Sequence, residues 1–167
     1  MSLLSDFAGG GAKFRYQEFT ASGTFTPSAK LLANGGQVML DLRGGGGGGA
    51  VSDVGKGGNS KHVAPYTVSG ATTVTIGAGG AANATGGSSV FGTLTVTGGA
   101  PGSGTVSGAG SGNEGSSPIP DFYGSNSGWT AAQYVGIGVN STLANTGHGG
   151  AATSSGKSGY CRVMWWE

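Results

Sequence analysis

Apolar and polar positions alternate in several short runs along this chain, and glycine, proline or asparagine closes most of them. In residues 37–43, Val38, Leu40 and Leu42 fall on one face and Gln37, Met39, Asp41 and Arg43 on the other. That period of two predicts a half-buried strand. Phe14, Tyr16, Glu18 and Thr20 alternate with Arg15, Gln17 and Phe19, and Gly23 permits a bend before the run continues to Thr26, so a strand region spans 14–26. Asn34, Gly35 and Gly36 mark a turn. Further strands are predicted at 66–76, interrupted at Ser69-Gly70-Ala71, and at 89–97, where Val90, Leu94 and Val96 alternate with threonines. The dense hydrophobic run 160–166 closes the set. No apolar pattern of i, i+3, i+4, i+7 reaches useful length. The pattern therefore predicts an all-β fold, a single small sandwich-like body, with 160–166 lying in the sheet beside 37–43.

Composition adds what alternation cannot. Glycine supplies 39 of 167 residues, far above the usual ~7%. Six glycines stand in a row at 44–49, although each costs about 0.5–1 kcal/mol relative to alanine inside a regular element. A bare backbone needs a reason, such as close chain packing, positive φ angles or a flexible linker. Charged residues are only 9% and apolar ones 36%, which is not the charge-rich pattern of disorder. Glycine lacks the strict every-third spacing of collagen. Glycine-rich segments therefore project from the β body. Four blocks, 44–49, 77–87, 98–112 and 147–159, could lie side by side as three-residue-per-turn chains in a polyglycine-II-type bundle, bonding one another through exposed amides. The competing reading is a set of ordinary long turns. No fixed period indicates a solenoid. The polar stretch 50–65 reads as an exposed loop.

The chemistry is sparse. A net charge of +1 without a basic stripe argues against a nucleic-acid surface. The single Cys161 excludes an internal disulfide framework and reads as a buried thiol. No signal peptide and no membrane-length apolar run is visible. Residues 44–49 satisfy a dinucleotide fingerprint trivially, but Gly55, Gly57, Gly58 and Pro65 oppose the required helix. Ala151 with Gly156-Lys157-Ser158 matches a relaxed phosphate loop, yet a strand follows where a helix is needed. His62 and His148 lack the spacing of metal ligands. Glu114 and Asp121 make a thin carboxylate pair for glycoside cleavage. No enzyme activity, cofactor or metal is expected.

One segment stands apart. Residues 116–134 gather Pro118, Pro120, Phe122, Tyr123, Trp129 and Tyr134 among serine, asparagine and glycine. Rigid aromatics beside adaptable hydrogen-bonding residues are the chemistry of binding loops. The bland alternative is that Trp129 and Tyr134 plug the end of the sandwich.

The stretches QEFTASGTF (17–25), VMLDLRGGGGGG, YTVSGATTVTIGAGG, SSVFG and the terminal GHGGAATSSGKSGYCRVMWWE follow one another in an order that resembles glycine-rich domains of tailed-bacteriophage tail-fibre and receptor-binding proteins. Gly159, Tyr160, Arg162, Val163 and Trp165 carry the closing strand of that pattern. The resemblance covers about residues 17–167; the insert 116–134 and the short N-terminus depart from it. It implies a virion tail protein, made in the host cytoplasm, that attaches to a bacterial surface receptor of protein or glycan. It also implies other tail proteins as partners, with the chain a homotrimer or seated on a trimeric fibre. A structural tail or baseplate component is the alternative, and a polysaccharide depolymerase a distant third. Residues 1–12 then read as a docking arm or flexible lead-in and 13–167 as the glycine-rich β domain. The expected receptor contacts are Phe122, Tyr123, Trp129 and Tyr134, with Lys61 and His62 as a second group.

Overall fold

A computed structural model describes residues 12–51, 53–102, 147, 149–150 and 153–167. Its strands are β1 (Phe14–Phe19), β2 (Gly23–Phe25), β3 (Gln37–Arg43), β4 (Ser60–Thr67), β5 (Thr72–Thr75), β6 (Ser89–Phe91), β7 (Leu94–Val96) and β8 (Tyr160–Trp166), with one short helix, α1 (Ala29–Ala33). They form two antiparallel four-stranded sheets, ordered β1-β8-β3-β4 and β2-β5-β6-β7. The all-β reading holds, and β8 lies beside β3 as expected, with Leu40 opposite Val163 and Leu42 opposite Cys161.

Alternation explains the core. Val38, Leu40, Leu42, Cys161 and Val163 point inward from one sheet; Phe25, Val74, Phe91 and Val96 point inward from the other, and all are buried. Each such side chain contributes roughly 1.5–3 kcal/mol on burial. One aromatic contact joins the layers: Phe25 meets Trp165 of the other sheet edge-on, 5.4 Å centroid to centroid, and lies 5.9 Å from Phe91 within its own sheet. Cys161 is fully buried. Burial, and after it the nearby Asp41 charge, push its thiol up to about 12, so it remains an unreactive apolar group.

Helix α1 was not expected. One turn is too short to show a helical period. Ser28 caps it by accepting the Leu31 amide at 3.0 Å, and Leu31 plugs the core. The Asn34-Gly35-Gly36 signal is the exit from this helix. Gly35 (φ 89°) and Gly36 (φ 65°) occupy the left-handed region, which glycine enters without strain.

The glycine segments are built rather than loose. Amides 44 to 50 donate in turn to Asn59, Gly87, Lys157, Lys56, Ala84, Ser154 and Asp53. Every third amide therefore returns to the same neighbour, which it meets in antiparallel sense: Asn59, Lys56, Asp53; Gly87, Ala84; Lys157, Ser154. The carbonyls follow the same rule with parallel neighbours. Gly46 and Gly49 accept from Gly80 and Asn83, Gly45 and Gly48 from Gly99 and Gly102, and Gly47 and Ala50 from Gly150 and Thr153. One turn per three residues is the geometry of an extended threefold chain. The hexaglycine thus runs down the axis of six surrounding segments. Those six also bond one another in a closed ring, through pairs such as Gly55 to Gly150, Lys56 to Ala100, Gly86 to Gly99, Gly87 to Ala78, Gly156 to Gly80 and Gly147 to Ser158.

The stretch 50–65 corrects the sequence reading. Residues 53–59 are one of the six ring segments, and β4 begins at Ser60. Ring and axis are continuous with the sheets. β3, β5 and β7 run into residues 44–50, 77–83 and 97–102, and residues 53–59, 84–87 and 154–159 return to β4, β6 and β8. The bundle is the sandwich carried on with most of its side chains removed.

Candidate functional site

Two surfaces of this molecule stand out. At the end of the bundle remote from the sheets the segments turn back. The Ala50 amide donates to Asp53 and the Ala84 amide to Ala81, each at 2.8–2.9 Å, and Asp53 Oδ1 accepts the Val54 amide at 2.8 Å. Asn83 (φ 62°) and Thr153 (φ 61°) take left-handed backbone there. Val51 is 80% exposed at this tip. The chain passes out of the described residues at the same end, just after Gly102, whose amide reaches Gly48. It returns at Gly147, beside Gly44 at the sheet end.

Phe122, Tyr123, Trp129 and Tyr134 lie outside the described residues. Lys61 and His62 lie inside them, but in strand β4 at the root of the bundle rather than in a loop at its tip. There β4 carries a bulge. Leu40 pairs with Ala64 and Leu42 with Lys61, so His62 and Val63 together face Asp41. Val63 adopts φ 48°, an outlier for a β-branched residue. Asp41 Oδ1 holds the bulge by accepting the Val63 amide at 3.0 Å. His62 Nδ1 comes within 2.7 Å of the same oxygen, a close contact that does not meet hydrogen-bond geometry. Lys61 is exposed. The structure therefore seats the His62 ring against Asp41 within the sheet and leaves Lys61 exposed at an edge.

The sequence reading missed the second surface, the outer face of sheet β1-β8-β3-β4. Strand register lays it out in rows. Phe14 stands opposite Trp166; Tyr16, Met164, Met39 and Pro65 form the next row; Glu18, Arg162 and Asp41 the third. Phe14, Tyr16 and Trp166 are 51%, 62% and 54% exposed, with Phe14 and Trp166 rings 5.2 Å apart. Arg162 donates to Glu18 Oε1 from both Nε and Nη2, at 3.0 and 2.7 Å, and Tyr160 adds its hydroxyl at 2.8 Å. The Arg162 bonds, then the Tyr160 bond, hold the Glu18 carboxyl below the usual carboxylate range. The guanidinium also stacks 5.9 Å from the Tyr16 ring centre. The alternation of β1 was legible, but the side of it that meets the core was not. Phe19 is inside, whereas Phe14 and Tyr16 are outside.

Among the described residues no group of three or more potential metal ligands gathers, and no helix is long and apolar enough to cross a membrane. No protein-family model matches this chain, and neither does any curated protein.

Proposed function

We propose that this chain is a bacteriophage tail-fibre or tail-tip protein that attaches the virion to a receptor on the bacterial surface. The observation that carries this reading is the route of the chain. A stiff bundle rooted in the sandwich leads to Gly102 at its remote end, and the segment that follows contains Phe122, Tyr123, Trp129 and Tyr134. A binding segment is served by a rigid support of this kind. Tyrosine and tryptophan among serine, glycine and asparagine suit a protein or glycan surface. Other tail proteins would hold the opposite end, and no chemistry is assigned to the chain.

Cell adsorption tests the reading. Purified protein should bind host cells, and the Tyr123→Ala/Trp129→Ala double variant should bind at least about ten-fold less. Because stacking and neutral hydrogen bonds would dominate, adsorption should change little between low and physiological salt. Full adsorption by a folded double variant removes the insert from the site. Absence of adsorption by the wild type favours the second reading, a structural tail component, for which the exposed aromatic sheet face is the supporting observation.

A further inference from the structure

We infer that the outer face of sheet β1-β8-β3-β4 is a self-association surface, on which a second copy of this chain packs face to face about a two-fold axis. The inference does not depend on the proposed function.

The two sheets of the molecule provide an internal comparison. An antiparallel sheet with one face in water normally turns polar residues outward. Sheet β2-β5-β6-β7 does so, with Thr24, Thr73, Thr75 and Thr95 exposed and only Val90, half-buried, among them. Sheet β1-β8-β3-β4 instead turns out Phe14, Tyr16, Trp166, Met164, Met39 and Pro65. Aromatic residues, methionine and arginine together are the composition of the centre of a protein interface. Exposing such a set to water costs free energy that a partner would recover.

Charge and placement select the partner. The charged groups within these rows are matched inside the chain. Glu18 binds Arg162, and Asp41 is buried with the Val63 amide and the His62 ring. A strongly charged partner would find nothing to pair with, whereas an identical face adds no net charge. The large apolar residues exposed among the described residues are Phe14, Tyr16, Leu32, Val51, Val63 and Trp166. Leu32 on α1 and Val51 at the bundle tip stand alone, and the others belong to this face or its β4 border. A ring of three copies needs two different complementary patches, while a two-fold contact needs one patch that fits itself. The described surface offers one.

The face measures roughly 19 by 20 Å, from four strands at about 4.8 Å spacing and six residues at about 3.3 Å. Two such faces cover roughly 760 Å² in all, below the size of a stable specific interface, so the pairing is weak and depends on concentration. Size-exclusion chromatography with light scattering on the full chain, loaded from about 10 to about 200 µM to span weak affinities, reads it out. The mass of two copies should dominate at the upper load. Tyr16→Ser, at a position already 62% exposed, should shift the midpoint at least about ten-fold upward, and Tyr16→Arg should abolish pairing by setting like charges together. Leu32→Ser with Val51→Ser should pair as wild type does. Circular dichroism confirms that each variant is folded. A wild type of single-copy mass at every load, a three-copy mass, or folded Tyr16 variants that pair normally would each overturn the inference.

Discussion

A methyl group placed on Gly47 would sit 2.0 Å from the Ala100 carbonyl oxygen, and one on Gly48 would sit 1.8 Å from that of Ala81. In both cases the obstacle is backbone, held by its own hydrogen bonds, so neither chain can yield cheaply. Gly47→Ala should therefore destabilise the fold by about 3 kcal/mol or more, at the severe end for overpacking. Gly70 has open space where its Cβ would go, and Gly70→Ala should stay within about 1 kcal/mol of wild type, on the stabilising side if anything. Chemical denaturation of the two variants measures the difference, and equal effects would show that the bundle is not close-packed. This contrast also explains what could be read from the sequence. A ring segment meets neighbours on two of its three sides, so every third residue can keep a side chain. Ala78 and Ala81 are exposed beside buried Gly77 and Gly80, and Thr97 and Ala100 are exposed beside buried Gly99. The axial chain meets neighbours all round, which is why 44–49 is uninterrupted glycine. The spacing x-G-G-x at 56–59, 78–81 and 97–100 was the missed signal. It repeats over too few residues in each block to register as a period along the chain.

At the scale of elements, β3 and β8 announced themselves because their inward residues alternate without interruption. β4 did not. Two of its residues oppose Asp41 at the bulge, and Pro65 stands within the strand, so polar and apolar positions lose their period where the strand is most bent. Proline and a bulge are also what an edge strand uses to discourage further pairing. The opposite edge, β1, is held to β8 along its whole length, with Glu18, Arg162 and Tyr160 clasped across the pair. The Glu18 and Arg162 side chains are each 41% exposed, so solvent screens the ion pair and its worth is under about 1 kcal/mol. Since the folded carboxyl titrates below its unfolded value of about 4.3, its contribution is present above that value and fades as pH falls through the lower, folded one. Glu18→Gln should thus cost under about 1 kcal/mol at pH 7, and the gap to wild type should narrow on acidification to about pH 2.5, below the ordinary carboxylate range. Urea denaturation at the two pH values checks this. A gap that is the same at both would mean that Glu18 acts through packing rather than charge.

Across the whole molecule, local pattern says least, because each bundle segment is paired with chain far away in sequence. Gly46 reaches Lys157, and Gly159 reaches Gly77. Nothing in a glycine block specifies which other block lies beside it; the strands do, by delivering each segment to its place. That dependence makes a prediction about cooperativity. By side-chain burial alone the bundle should open early, since regions with few apolar contacts usually exchange their amides at low free energy. Yet residues 44–50 are buried throughout, every amide among them is bonded, and six of the seven segments are continuous with strands. Freeing the axial chain would require the surrounding segments to part, which would pull the ends of both sheets open. The bundle and the sandwich should therefore unfold together. Native-state hydrogen exchange should place the amides of Gly45, Gly47 and Gly48 within about ten-fold of those of Leu40 and Val163, a spread of about 1.4 kcal/mol. Exchange of the axial amides about a thousand-fold faster, with the sheet amides still protected, would show instead a bundle that opens on its own while the sandwich stays folded.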